Sequence, residues 1–361
     1  MGIKAKLLLV MGYLGAVIGA GFASGQEIMQ FFVAFGKNGF YGAVLSAVLF
    51  SLCGGLLLFI AHRKSSSNYQ EILAYLLGPG TGKVVDFLLA VFLFLGISLM
   101  LSASGAVFSE HLFLPKTLGI FLAYVLVIVF LITGKKGLIL SYNLLVPVKL
   151  ILLLLITGYA AFFASGVGLA TYDSSIVPTR REYWAIASIL YVAYNFALAM
   201  VVLVEYQSVV DRTTGIIGAV WGGAVLGVLV IITYLALGKY LPTVLRYEVP
   251  MLYVTGNISL KIKYLYTVVL WVGIFTTALA NAYGFAKRFA VFTKLSYGPC
   301  LILCLTLSLP ISMQNFSDLV SNVYPVFGIL GLVILGSLII RAAQEFGISL
   351  YYYVVEICHR R

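Results

Sequence analysis

GYLGAVIGAGFASGQEIMQFF, residues 12–32, carries five glycines within fourteen residues: Gly12, Gly15, Gly19, Gly21 and Gly25. The apolar run that holds it is about 28 residues long, roughly 42 Å as an α-helix. A hydrocarbon core is about 30 Å thick, so the run is too long for one straight crossing. Each glycine weakens a helix by about 1 kcal/mol relative to alanine, which makes unwinding around 19–21 inexpensive. A helix broken inside a membrane leaves N–H and C=O groups that must face a cavity, an ion or a ligand. The half-helix after the break aims its positive N-terminal end at the gap, where a carboxylate can bind. Close packing of a small-residue face is the competing explanation. Gly15, Gly19 and Gly21 do not share one face, so packing accounts for only part of the set.

The rest of the chain places this segment in a membrane. Of 361 residues, 62% are hydrophobic and 10% are charged, against about 45–50% and roughly 25% in soluble domains. Mean hydropathy is +1.08. Nine prolines and four cysteines exclude collagen, disordered and disulfide-stapled chains. The composition is that of an all-α integral membrane protein. A net charge of +11 would suit nucleic acid. The basic residues, however, lie singly or in pairs between apolar runs, where control of topology explains them, so no nucleic-acid partner is expected. Cys300 and Cys304 share a helix face without a histidine beside them and read as packing, and no metal site is expected. Lys4, Lys6 and the apolar run from Leu7 resemble a signal peptide, but the apolar character persists to Phe35 and further spans follow. It is read as the first span.

Ten spans are expected, at 7–35, 39–61, 84–109, 117–133, 138–164, 183–208, 215–238, 264–289, 297–314 and 319–341. With the N-terminus inside, fourteen Lys and Arg fall on the cytoplasmic side and eight outside, which puts both termini in the cytoplasm. The spans divide into two five-helix blocks, 1–165 and 182–341, joined by an extracellular linker at 166–181 and followed by a cytoplasmic tail helix at 342–361. Five is odd, so a second copy of the first block sits upside down. In each block the second span is followed by a semi-apolar loop segment, 68–78 and 248–259. Inverted repeats with interrupted helices mark secondary transporters, whose substrate site lies at mid-membrane.

Lys149 falls near the centre of span five. A charge at the bilayer centre costs about 2.5–3.5 kcal/mol and is functional by default. Glu27 follows the glycine break by about two turns and reads as a second protonation site, an outer gate or a solvated vestibule residue. In span six, Asn195 between Tyr194 and Phe196 is the strongly polar side chain at mid-membrane. By repeat symmetry it is the partner break to span one, although no Gly or Pro sits there. Ser98, Ser102 and Ser104 in span three, and Asn281 and Tyr283 in span eight, are further candidates for lining a cavity. Glu205, Asp211 and Arg212 close span six as an inner gate pair or as plain topology signals.

Residues 17–22, VIGAGF, resemble the IGxG-type first-span motif of the amino acid–polyamine–organocation superfamily, which has the LeuT-type fold. GAVIGAGFASGQEIMQFF as a whole most resembles the YkvI-like bacterial membrane proteins. The resemblance implies two inverted five-helix repeats with broken helices 1 and 6. It implies that the N–H groups of Gly19, Ala20, Gly21 and Phe22 hold a substrate carboxylate, and that the carbonyls of Gly15 and Ile18 face a cation-coupling site. Residues 134–150, GKKGLILSYNLLVPVKL, are similar to the fifth span of proton-coupled permeases, where a lysine occupies the place of a sodium ion. Transferred to Lys149, its ammonium stands near those carbonyls, either carrying the proton or as a fixed cation. Thr276 and Thr277 match the hydroxyl pair of sodium-dependent members, so H+ and Na+ both remain open as coupling ion.

The resulting expectation is a proton-coupled amino-acid or zwitterion symporter in a bacterial cell membrane, with no cofactor beyond the coupling ion and no obligate protein partner. A sodium-coupled symporter and a non-transporting nutrient sensor are the alternatives. The intramembrane ionisable residues are essentially Glu27 and Lys149, with no DDxxD, HExxH or GxSxG, which argues against an enzyme.

Overall fold

A computed structural model describes residues 2–132, 135–164 and 181–359, and these are helical with no strand among them. The linker expected at 166–181 lies outside the described residues except for Arg181, which opens a 3-10 turn. The first apolar run forms three short helices, α1 (Gly2–Val17), α2 (Ala20–Ser24) and α3 (Gln26–Phe31). Helices α4 (Asn38–Lys64), α6 (Pro79–His111), α7 (Lys116–Leu131) and α8 (Lys135–Phe162) follow, with the short α5 (Tyr69–Leu77) between α4 and α6. The second half holds α9 (Trp184–Glu205), α10 (Arg212–Gly238), α12 (Leu260–Thr293), α13 (Tyr297–Ser312) and α14 (Phe316–His359). The short α11 (Pro250–Ile258) lies between α10 and α12. Six of these, α4, α6, α9, α10, α12 and α14, are long and apolar enough to cross a membrane. Shorter apolar helices stand at Lys6–Val17, Lys116–Leu131, Pro147–Phe162 and Tyr297–Ser312, where the other spans are expected.

The first run breaks at the N-terminal edge of the expected 19–21 stretch, beginning one residue earlier. Ile18 and Gly19 lie outside the helices, and the Gly19 N–H turns to the Val17 carbonyl at 2.9 Å instead of continuing the α1 ladder. Gly21 is helical. A second corner falls at Gly25, whose φ of +84° is one that L side chains rarely adopt, and it separates α2 from α3. The two semi-apolar loop segments are α5 and α11. Asn68 caps α5 by accepting from the Gln70 N–H at 2.9 Å, and Pro250 opens α11 at a position where no intrahelical N–H bond is lost.

Two expectations need correction. Helix 6 is unbroken, because α9 runs continuously through Tyr194, Asn195 and Phe196. With no glycine or proline there, the backbone keeps its ladder, and Asn195 Nδ2 adds a 3.1 Å bond to the Tyr191 carbonyl one turn back. The tail at 342–361 is not a separate helix either, since α14 continues from Phe316 to His359 without a breaking residue at their junction.

Small residues set the closest packing. α10 lies along α4 so tightly that a Cβ at Gly223 would strike the Phe50–Ser51 backbone, and one at Gly227 would strike Ala47. α14 meets α9 in the same way, with Gly331 against the Ala193 carbonyl. Such small-residue contacts let helices approach where lipid supplies no hydrophobic drive. Beside α5, Glu345 of α14 accepts from Arg63, lies 3.2 Å from Lys64 Nζ and accepts the Tyr75 hydroxyl at 2.6 Å. Beside α11, Glu110 of α6 accepts the backbone N–H groups of Glu248 and Val249, while Glu248 accepts from the Phe316 N–H.

Candidate functional site

The unwound link at Ile18 and Gly19 opens onto a small cavity of about 50 Å³, lined from α1, α2, α3, α6, α9, α12 and α14. From α2 comes backbone, at Ala20 and Gly21, where first-turn N–H groups have no intrahelical acceptor. Polar side chains come from Glu27, Tyr194, Asn195, Thr277, Asn281 and Tyr324.

Glu27 is 3% exposed and is the charged residue among those lining the cavity. The Gly25 corner turns α3 so that the Glu27 carboxyl folds back onto α2. A Cβ at Gly21 would collide with its Oε1. The phenols of Tyr194 and Tyr324 and the carboxamide of Asn195 stand around this carboxyl, close enough to act on its charge. In this geometry Oε2 and the Tyr194 hydroxyl make no hydrogen bond, although those donors stand beside the carboxyl. The rings of Tyr194 and Tyr324 stack at 4.7 Å, and Phe92 stands edge-on to both.

On the other side of the break, Lys149 Nζ donates a 2.9 Å hydrogen bond to the Ile18 carbonyl. The side chain is 2% exposed and passes beside Gly273, where a Cβ would sit 3.3 Å from its Cδ. The ion pairs among the described residues do not include it. The interrupted helix supplies the acceptor, and the ammonium in turn satisfies a carbonyl at the break.

The sequence-derived residues divide into two groups. Gly19, Ala20, Gly21, Glu27, Tyr194 and Asn195 meet at the cavity, together with Thr277 and Asn281. Ile18 and Lys149 meet behind it. The others point elsewhere. Phe22 and Phe196 are fully buried without lining the cavity, and Gly15 remains inside α1, one turn before the link. The Ser102 hydroxyl donates to the Gln314 carbonyl and that of Ser104 to the Gly119 carbonyl. Ser98 is buried with its hydroxyl unpartnered, away from the lining. The Thr276 and Thr277 hydroxyls both donate to the Gly273 carbonyl within α12, at 3.1 and 2.9 Å. Tyr283 packs against Tyr297. Asp211 accepts from the Thr214 N–H as the N-cap of α10, which holds its carboxyl below the usual range, while Arg212 lies over the Phe59 ring.

Phe92, Gly96 and Tyr324 line the cavity without having been singled out. Tyr324 had one usable signal, a tyrosine inside a span directly before Pro325. Beyond Tyr194, Phe31 packs on Tyr191 and Tyr194 and Phe32 packs on Tyr191, with ring centroids 4.9–5.6 Å apart.

No family model matches the chain. It is 29% identical over 339 residues to the uncharacterized membrane protein YkvI of Bacillus subtilis (strain 168), covering 93% of this chain and 96% of that one. Among solved structures it is similar to Mhp1 in an inward-facing conformation, with a TM-score of 0.62 at 15% identity over 92% of this chain and 76% of that one. It is equally similar to the Eremococcus coleocola manganese transporter in complex with an aromatic bis-isothiourea compound, with a TM-score of 0.62 at 12% identity over 91% and 76%. At these identities the likeness is one of fold. The chain is a multi-pass helical membrane protein with a fold that these transporters share.

Proposed function

We propose that the chain is a secondary active transporter of an amino acid or a similar small zwitterion, coupled to proton movement through Lys149. Two inverted repeats, α1–α8 and α9–α14, alternate access around the cavity at the α1–α2 link. The short helices α5 and α11 occupy corresponding places in them. Both termini are cytoplasmic in a bacterial cell membrane, and the family is the amino acid–polyamine–organocation superfamily.

The observation that carries this reading is the bond from Lys149 Nζ to the Ile18 carbonyl. An ammonium on a freed carbonyl holds the broken helix as a cation does, and loss of its proton removes that hold. Proton release at Lys149 therefore loosens the link that forms one wall of the substrate cavity. Sodium coupling is supported less, since the Thr276 and Thr277 hydroxyl protons are both directed at the Gly273 carbonyl of their own helix. The fold neighbours are transporters, which favours transport over enzymatic chemistry.

Purified protein in proteoliposomes tests the reading. An inward proton gradient is expected to drive saturable uptake of a labelled amino acid without sodium, and Lys149→Ala is expected to abolish it. Full gradient-driven uptake by Lys149→Ala, or uptake that follows sodium alone, overturns the proton route. Saturable binding with no uptake overturns transport in favour of a sensor.

A further inference from the structure

The cavity is acidic. Among the described residues that line it, Glu27 carries a charge and no basic side chain faces it. Lys149 is directed at the Ile18 carbonyl and forms no ion pair with the carboxyl. Glu27 is 3% exposed, and its Oε2 has no hydrogen-bond partner. A buried carboxylate in this position is strongly disfavoured unless an opposite charge or hydrogen-bond donors meet it.

The surrounding chemistry indicates what meets it. Tyr194, Tyr324 and Phe92 present aromatic rings to the same space, and ring faces attract cations. The continuous α9 offers no free backbone carbonyl to the cavity, whereas a broken helix there would supply such acceptors. Asn195 directs its amide to Tyr191, and Thr277 its hydroxyl to Gly273. The anionic acceptor among the residues lining the cavity is therefore the Glu27 carboxylate, held in place by the Gly25 corner and the bare Cα of Gly21.

We infer that Glu27 is the substrate-binding residue for a protonated primary amine, which it pairs with on the face of the Tyr194 and Tyr324 rings. This rests on the transporter reading and narrows its substrate to amine-bearing molecules. A free amine is required, and an analogue with that nitrogen acylated is rejected because it brings no positive charge there and leaves the carboxylate unpaired.

Thermal shift on the purified protein tests the inference. The panel is the neutral and acidic α-amino acids with n-butylamine and putrescine, each beside the form with every amine acetylated. At least one free amine is expected to raise the melting temperature while its N-acetylated form does not. Glu27→Gln is expected to weaken that binding tenfold or more, and Glu27→Asp to retain part of it. Tyr324→Leu keeps the carboxyl and removes a ring, and a several-fold loss is expected. Equal binding of N-acetylated forms, unchanged affinity in Glu27→Gln, or no binding by any amine of the panel overturns the inference. Uptake separates it from the transporter reading. Amine binding that depends on Glu27 without any uptake leaves the inference standing and removes transport, whereas uptake indifferent to N-acetylation does the reverse.

Discussion

The ammonium of Lys149 stands 2.9 Å from the carbonyl oxygen of Ile18, joining the middle of α8 to the unwound link between α1 and α2. Lys149→Met keeps the length and apolar stem of the side chain but removes the donor, leaving a buried carbonyl unpaired. An orphaned buried acceptor costs about 1–3 kcal/mol. The variant is expected to unfold at lower denaturant by that amount in detergent and to lose gradient-driven accumulation. Lys149→Arg is not expected to rescue it, because a planar fork does not fit a site shaped for a single ammonium. Wild-type stability in Lys149→Met would contradict the role given to this bond.

Gly21→Ala probes the other wall. The new methyl group would occupy the space of the Glu27 carboxyl, while alanine is a better helix former than glycine. Ligand affinity is therefore expected to fall at least tenfold with little change in melting temperature. Parallel binding and melting curves check the split, and a fall in both would mean that Gly21 serves packing alone.

Helix packing gives a paired prediction in α14. Gly331→Ala pushes a methyl into the Ala193 carbonyl of α9, and overpacking of this kind costs about 1–3 kcal/mol. Gly336→Ala, with open space at its Cβ position, is expected to leave stability unchanged or slightly raised. Chemical denaturation of both variants in one detergent measures the difference.

How much of this was legible in the sequence depends on what each element rests upon. The apolar helices and the break in the first run follow from composition and glycine placement, which act locally. The short α5 and α11 were likewise visible as semi-apolar loops. The break assigned to span six came from symmetry, with no residue to cause it, and α9 is continuous. Direction was the hardest property to read. Ser102, Ser104 and Thr276 satisfy carbonyls of neighbouring or own helices, a choice set by packing that no spacing reveals. Phe92 was invisible for a related reason, and Tyr324 had only the proline after it as a signal. An aromatic in an apolar run reads the same whether it faces lipid, core or cavity.

A cluster at Glu345 supplies the last test. Tyr75 of α5 donates to Glu345 at 2.6 Å, and Arg63 and Lys64 of α4 share the same carboxylate. A double-mutant cycle of Tyr75→Phe with Glu345→Gln is expected to give a coupling energy on the order of 1 kcal/mol. Additive effects would show that the contact is incidental to the fold.

Tyr324 and Glu345 belong to one uninterrupted helix, and Pro325 between them removes a backbone bond beside the cavity. The twenty residues from Pro325 to Glu345 span about 30 Å, so a five-degree tilt about the proline carries Glu345 roughly 3 Å. That stroke equals the length of the bonds holding Tyr75 and Lys64. One rigid helix thus joins the wall of the cavity to the ionic cluster beside α5.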